Sequence, residues 1–520
     1  MPTRCCASAR RSAWSPTGAA RSSISWKRST AAADAACGYA RPAHACAPRE
    51  SPFDEFPFIE VNSIYGFSND GDRTVMKATQ DSEELTRVGP GTVMGDFMRQ
   101  YWIPAAKSAE LAADGTPMRL MLLGEKLVAF RDSSGRAGVM DHRCPHRCAS
   151  LVLGRNEENG LRCIYHGWKF DVDGNCVDMP SVPPSQDFKE KVKARAYKAV
   201  DRHGVLWVYM GPDQASPPPM TQVEATLLEE DEVDVSFMQR NCNWMQALEG
   251  DIDTSHFGFL HVGHLDPDNV PEGHPLEHTA SERAPEYHVR DTPWGTTYGA
   301  YRTVRPETIY WRFANYMFPF WTQTPQGPFP RNIQARAWVP LDDEHVMMIF
   351  WRQRRGLPGT NAPLKDGKPL GGSRVQPEFL PVSTEWLGRY RLKAQESNDW
   401  LIDREAQRTN RIYSGIDHIG SQDQAVTESM GAITEHSREH LGPGDLMIAR
   451  TRRRALAAAR GFRDGAAAPG LASPEVLSAA RSGFFEVHAS VDWQDAYAEQ
   501  MRRAERAPRL ETPAETVSAK

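Results

Sequence analysis

Between residues 100 and 212, apolar and polar positions alternate in short runs broken by turn residues. Residues 119–130 read as two strands around a turn at Gly124 and Glu125, and residues 137–140 as the next strand after a turn at 132–135. Val172-Asp-Gly-Asn175 is a hairpin turn, and 199–210, turning at Gly204, is a further hairpin. Just upstream, 86–102 reads as a Gly/Pro turn followed by a short helix. Ser216-Pro-Pro-Pro219 is the expected linker out of this all-β region.

From about 220 to 455 the pattern changes. Period-two segments (297–304, 333–339, 345–352) mix with helical ones (246–261, 387–411, 421–430), which is an α+β arrangement. Residues 357–374, rich in Gly, Pro and Lys, are expected to form a loop or lid over this second region. Residues 445–460 and 474–506 are rich in Ala, Arg and Glu and read as helical. The expected division is an N-terminal extension at 1–75, an all-β domain with its leading helix at 76–214, an α+β domain at 215–455 and a helical tail at 456–520.

Composition narrows the function classes. The chain has 520 residues, 40% apolar and 25% charged, ample for a core without disulfide staples. No apolar run approaches the ~20 residues of a membrane helix. The net charge of −6 argues against general nucleic-acid binding. That charge is uneven: residues 1–50 hold eight Lys/Arg against Asp34 and Glu50, and the remaining 470 residues hold 53 basic and 65 acidic side chains, net −12. The first fifty residues also hold four of the nine cysteines and no periodic apolar face, so they are expected to stay disordered, as an upstream extension or, less simply, a transit peptide. The five remaining cysteines are too few for a disulfide framework and suit a reducing, cytoplasmic setting.

Two constellations carry chemistry. The first is Cys144-Pro-His146 followed by Cys163-Ile-Tyr-His166. Two thiolates and two imidazoles fit either a tetrahedral Zn²⁺ or a two-iron, two-sulfur cluster with His₂ on one iron and Cys₂ on the other. Zinc knuckles pair like with like, whereas here each loop supplies one Cys and one His, which favours the dinuclear cluster. Cys148, Cys176 and Cys242 read as buried thiols. The second constellation is Asp253-x-x-His256-x₄-His261. Two histidines and a carboxylate with open positions make a non-haem Fe(II) site that activates O₂. The helix carrying them is expected to break near Gly258. Asp253, three residues before His256, can hold that ligand's second nitrogen; His264 is a weaker candidate.

The stretches CPHRCASL and CIYHGWKFD closely resemble the Rieske domain of ring-hydroxylating oxygenases. NWMQALEGDIDTSHFGFLH, NDWLIDREAQR and QDQAVTESMG resemble the phthalate 4,5-dioxygenase group, over about 80–460 of the chain. The resemblance implies an all-β Rieske [2Fe-2S] domain held by Cys144, His146, Cys163 and His166. A helix-grip catalytic domain with a mononuclear Fe(II) on His256 and His261 is implied to follow it. The third iron ligand comes from far along the chain: Asp423, with Glu428 one turn on and Val426 on the buried side, fits better than Asp399. Asp253 is implied to bridge His256 to cluster residue His166 of the partner subunit. The resemblance further implies a homotrimer or stacked trimers fed by a separate NAD(P)H-dependent reductase, and cis-dihydroxylation of an aromatic, phthalate-like carboxylate. Monooxygenation or O-demethylation of an aryl ether is the alternative, and an electron-transfer protein with an inactive second domain the next. Arg302, Arg312 and Arg336 lie on or near predicted strands and read as surface residues rather than substrate anchors.

Overall fold

The computed structural model describes residues 71–354 and 359–504. The expectations for residues 1–70 and for the last residues of the tail lie outside the described residues. The first described helix, Gly71–Thr86, begins upstream of the boundary expected at 75.

Residues 102–209 fold as the alternation predicts, into two antiparallel sheets. The larger has six strands in the order Trp102–Lys107, Val205–Tyr209, Ala196–Arg202, Ala137–Asp141, Glu125–Arg131, Met118–Leu122. The smaller has four short strands, Arg155–Glu157, Gly160–Arg162, Lys169–Phe170 and Cys176–Asp178. The six-stranded sheet serves two cores, and Val128, Phe130 and Met140 join the smaller sheet in one of them. Leu151, Leu161, Trp168 and Phe170 form a small core beneath the Cys144 and Cys163 loops. Leu120, Leu127, Val139 and Leu206 of the six-stranded sheet belong instead to the main core, shared with the rest of the molecule. Trp207 marks that junction, stacking on Trp321 at 6.1 Å and on Trp351 at 5.9 Å. Such aromatic pairs each add about 0.5–1.5 kcal/mol beyond their area burial.

The second region is built on an eight-stranded antiparallel sheet. Its path runs Val233–Arg240, Val346–Gln353, Gln334–Pro340, Trp321–Gln323, Thr308–Met317, Gly295–Arg305, Glu286–Thr292, with Gly483–His488 also paired to Thr308–Met317. Helix Leu446–Arg463 packs on strands Gly295–Arg305 and Glu286–Thr292, and helix Trp244–Ile252 on the opposite part of the sheet. Arg452 of the first helix reaches Glu249 of the second at 2.5 Å. Among the described residues no helix is long and apolar enough to cross a membrane.

Three expected helices are corrected. Helix 246–261 ends at Ile252, not near Gly258, because the Asp253 carboxylate takes the backbone N–H of Ser255 at 2.8 Å and so closes a turn in place of the helix. Residues Phe257–His261 then wind as a single π-type turn. The stretch 387–411 holds only Glu396–Leu401 and Arg404–Arg408. Asn398 folds back on the Gln395 N–H, and Asp403 caps the second piece. In the expected helical tail, Gly-Phe-Phe-Glu-Val-His is a sheet strand, with Phe485 stacked on Phe313 at 5.4 Å. The stretch expected as a loop or lid holds one 3₁₀ turn, Gly359–Asn361, and is otherwise irregular where described; Gly359, Thr360 and Ser373 line a cavity in the second region.

Candidate active site

The two loops that carry the first constellation are built alike. Cys148 N–H donates to Cys144 O at 2.9 Å and Cys144 N–H to Ala149 O at 2.8 Å; Gly167 N–H donates to Cys163 O at 2.9 Å and Cys163 N–H to Trp168 O at 2.8 Å. Each loop turns its last corner through a left-handed residue, Cys148 at φ 59° and Gly167 at φ 79°. This near-symmetry brings the four residues together. The His146 and His166 rings lie 4.4 Å apart, His146 stacks on Trp168 at 4.3 Å, and both Cys144 and Cys163 are buried. Burial, with the Cys163 thiol beside it, pushes the Cys144 thiol up to about 12. A metal bound there would take the thiolate and release the proton. Nδ1 of His166 is buried with no hydrogen-bond partner. Paired buried thiols beside a buried imidazole nitrogen without a partner are what a two-iron cluster with mixed ligands needs. Cys176 and Cys242 are buried as expected, but Cys148 is exposed, since it occupies the loop corner rather than the packed interior.

The second constellation gains its distant partner. His256 Nε2 and His261 Nε2 are 3.2 Å apart, and Asp423 Oδ1 lies 3.5 Å from the first and 3.0 Å from the second. Ligand atoms roughly 3 Å apart suit adjacent positions around a metal at about 2.1 Å. Asp399 lies outside this group, exposed in a left-handed turn with Trp400 and Leu401; His264 is exposed too. Asp423 projects from helix Ile419–Ser429. On that helix Val426 is exposed rather than buried, while Gln424, Thr427 and Glu428 face inward. Glu428 is held there by the backbone N–H of Asn241 at 2.8 Å and the Trp400 indole at 2.7 Å.

Each imidazole is oriented from behind. Asp253 Oδ2 faces His256 Nδ1 at 3.4 Å. His261 Nδ1–H donates to Gln422 Oε1 at 2.7 Å, and Gln422 fixes its own amide by donating to Ile416 O at 2.9 Å. Both rings therefore turn Nε2 toward Asp423. Burial opposes charge on His256, but Asp253 and Asp423 outweigh it and raise its pKa to about 10. The site is thus an electronegative well for a cation. In the sequence, the only sign of this role for Gln422 is an amide directly before Asp423.

A cavity of about 500 Å³ opens beside these residues, walled by Phe257, Leu276, Met348 and Phe350. Arg312 and Arg336 line it too, so they are not surface strand residues; Arg302 is likewise buried, at 2% exposure. The two lining arginines differ. Arg336 is neutralised by Asp251 at 2.6 Å, a carboxylate also held by Thr322 and the Trp338 indole. Arg312 touches only the Thr254 hydroxyl and the Phe257 ring face, with no carboxylate partner among the described residues.

The chain matches two family models, the Rieske [2Fe-2S] domain over 101–196 and the family described as LigXa C-terminal domain like over 208–517. It is 51% identical to the 3-chlorobenzoate-3,4-dioxygenase oxygenase subunit of Comamonas testosteroni, over 82% of this chain and 99% of that one. It is 35% identical to the phthalate 4,5-dioxygenase oxygenase subunit of Pseudomonas putida, over 81% and 94%. It is 31% identical to the 5,5'-dehydrodivanillate O-demethylase oxygenase subunit of a Sphingobium species, over 73% and 80%. With the all-β domain, the antiparallel sheet with its helices and both donor sets in place, the chain belongs to the Rieske non-haem iron ring-hydroxylating oxygenases, as an oxygenase subunit with a [2Fe-2S] cluster and a mononuclear iron.

Proposed function

We propose that this chain is the terminal oxygenase of a system that hydroxylates an aromatic carboxylate, with cis-dihydroxylation of the ring as its main reaction. The observation that carries the substrate class is Arg312. Strands Gly295–Arg305 and Thr308–Met317 place Arg302 and Arg312 on one sheet face, in diagonal register. Both terminal nitrogens of Arg302 are buried without partners. Burial and the neighbouring Arg312 push the Arg302 pKa down to about 10. Two adjacent guanidiniums with no carboxylate in ion-pair contact among the described residues are costly unless a ligand supplies the negative charge. A carboxylate can take both terminal N–H groups of Arg312 in a fork. The apolar walls then receive the ring.

Cys144, His146, Cys163 and His166 would hold the cluster, and His256, His261 and Asp423 the iron. When bound, these groups supply single electrons and O₂ activation. The residues around them set geometry. Asp253 and Gln422 fix the two imidazole tautomers, and Asp251 holds Arg336 against the cavity wall.

We further infer a homotrimer in which Asp253 accepts from His256 and from His166 of the partner subunit, with electrons entering from a separate NAD(P)H-dependent reductase. Two apolar patches support this. Leu153, Ile164 and Tyr165 are exposed near the cluster loops, and Leu401, Val426 and Met430 are exposed near the Asp423 helix.

The test is substrate-dependent O₂ uptake with a reductase, with product analysis on benzoates. Wild type should consume O₂ and release cis-diols. Arg312→Gln should raise KM about 100-fold, the loss of a desolvated charge partner, while iron content stays unchanged. An unaltered KM would overturn the carboxylate reading, and formaldehyde release from methoxybenzoates would move the reaction to O-demethylation.

A further inference from the structure

His418 is the N-cap of helix Ile419–Ser429. Its ring Nδ1 accepts the backbone N–H of Ser421 at 3.0 Å, and Ser421 Oγ lies 3.0 Å from the same atom. A ring nitrogen that accepts a backbone N–H carries no proton. The neutral ring therefore has its one proton on Nε2. Burial lowers the pKa of the ring, with Asp423 acting in the opposite direction, so the ring is neutral near pH 7. The ring lies over Gly420, where a Cβ would meet its Cε1 at 2.8 Å. Nε2 makes no hydrogen bond to any described residue, and His418 lines the cavity shared by His256, His261 and Asp423.

Helix capping does not require this residue. Ser, Asn or Asp caps a helix well and leaves nothing over. Imidazole at the cap leaves a second nitrogen, of fixed tautomer, on a residue that lines the substrate cavity. We propose that His418 Nε2–H is a substrate-binding donor that reads a hydrogen-bond acceptor, such as an ether or hydroxyl oxygen, on the aromatic ring. This rests on the carboxylate reading, since the bound acid brings its ring substituents to that wall. A ligand that covers Nε2–H without an acceptor leaves a buried donor unpaired, which costs about tenfold in affinity or more. His418 is thus expected to act as a specificity residue, apart from the iron ligands and from Arg312.

The test compares each methoxybenzoate isomer with the matching ethylbenzoate, which has nearly the same shape but a methylene for the ether oxygen. Dissociation constants are measured by calorimetry on the iron-loaded protein without reductase, so no turnover enters. In wild type at least one methoxy isomer should bind about tenfold tighter than its ethyl partner. His418→Ser keeps a strong N-cap and should bind the two alike, with unchanged iron content. His418→Asn, also a good cap but too short to reach, should repeat that result and guards against a folding defect in the first variant. Equal binding of every pair by wild type, or a preference that survives in both variants, overturns the inference and leaves the carboxylate reading standing. Failure of every acid to bind wild type overturns both.

Discussion

The proposed cluster loops and the proposed iron site face the same problem, bringing four or three candidate ligands together, at opposite extremes of chain separation. Cys144, His146, Cys163 and His166 sit on two loops of one small subdomain, each closed by its own pair of backbone hydrogen bonds. His256 and His261 sit on a short turn after one helix, and Asp423 arrives on a helix far along the sequence. The first geometry is fixed locally. The second depends on how the second region packs, through contacts such as Gln246 Nε2 to Thr427 O at 2.9 Å and Glu428 to Asn241. The two sites should therefore fail independently and in different ways.

The largest effects should separate them outright. Cys144→Ser or Cys163→Ser is expected to bleach the visible cluster spectrum while the mononuclear iron stays. Asp423→Ala is expected to lose that iron and all turnover while the cluster spectrum is kept, and Asp399→Ala should keep both metals. Iron and acid-labile sulfide analysis with visible spectra checks all four. Joint loss in either single variant would mean that the small core beneath the cluster and the main core are not independent.

Next in size is the residue proposed to join the sites. Asp253→Asn keeps volume but loses the charge and one accepting end, so both metals should stay and the cluster should reduce normally. Electron transfer to the iron is expected to fall about 100-fold or more. Single-turnover product formation from pre-reduced protein reads this directly, and a wild-type rate would reduce Asp253 to a helix-end acid.

This contrast also explains what could be read in the sequence. That Cys144, His146, Cys163 and His166 come together was legible because Cys-x-His and Cys-x-x-His lie in loops that need no distant partner. Strands were legible where short runs rich in apolar residues stood between turns, as in Gln334–Pro340 and Val346–Gln353, both buried over most of their length. Features set by tertiary contacts were not. Val426 looks buried by helical period, but inward-facing Glu428 meets Trp400 and Asn241, which rotates Val426 outward. Arg312 looks like a solvated strand residue until the fold encloses it with no carboxylate partner among the described residues. The helix break moved from Gly258 to Asp253 because a carboxylate side chain competes with the helix for backbone N–H groups, a choice that propensity alone does not decide.

A smaller effect is expected at Gln422. Gln422→Leu removes the acceptor that fixes the His261 tautomer but leaves every ligand atom in place. Iron affinity should fall about tenfold, with the cluster spectrum unchanged. Competition against a chelator measures it, and rescue by Gln422→Glu, which restores the acceptor, separates an orienting role from a packing one.

The smallest effect tests the near-symmetry of the two cluster loops. Both turn their last corner in the left-handed region, but the first loop does so with Cys148 and the second with Gly167. A side chain there costs about 1–2 kcal/mol, while glycine costs about 0.5–1 kcal/mol more of unfolded-chain entropy than a residue with a Cβ. Cys148 is exposed, so removing its side chain gives up little packing. Cys148→Gly is therefore expected to leave the cluster spectrum unchanged and to stabilise the loop by about 0.5–1 kcal/mol, a rise of roughly 1–4 °C in the apparent midpoint for thermal loss of the cluster absorbance. The matching change in the second loop should go the other way. A Cβ at Gly167 would meet Pro180 Cγ at 2.6 Å in addition to the left-handed strain. Gly167→Ala should therefore lower the same midpoint by more than Cys148→Gly raises it. Equal and opposite shifts would make the backbone conformation alone responsible, and a drop on Cys148→Gly would show that the exposed thiol supports the cluster after all.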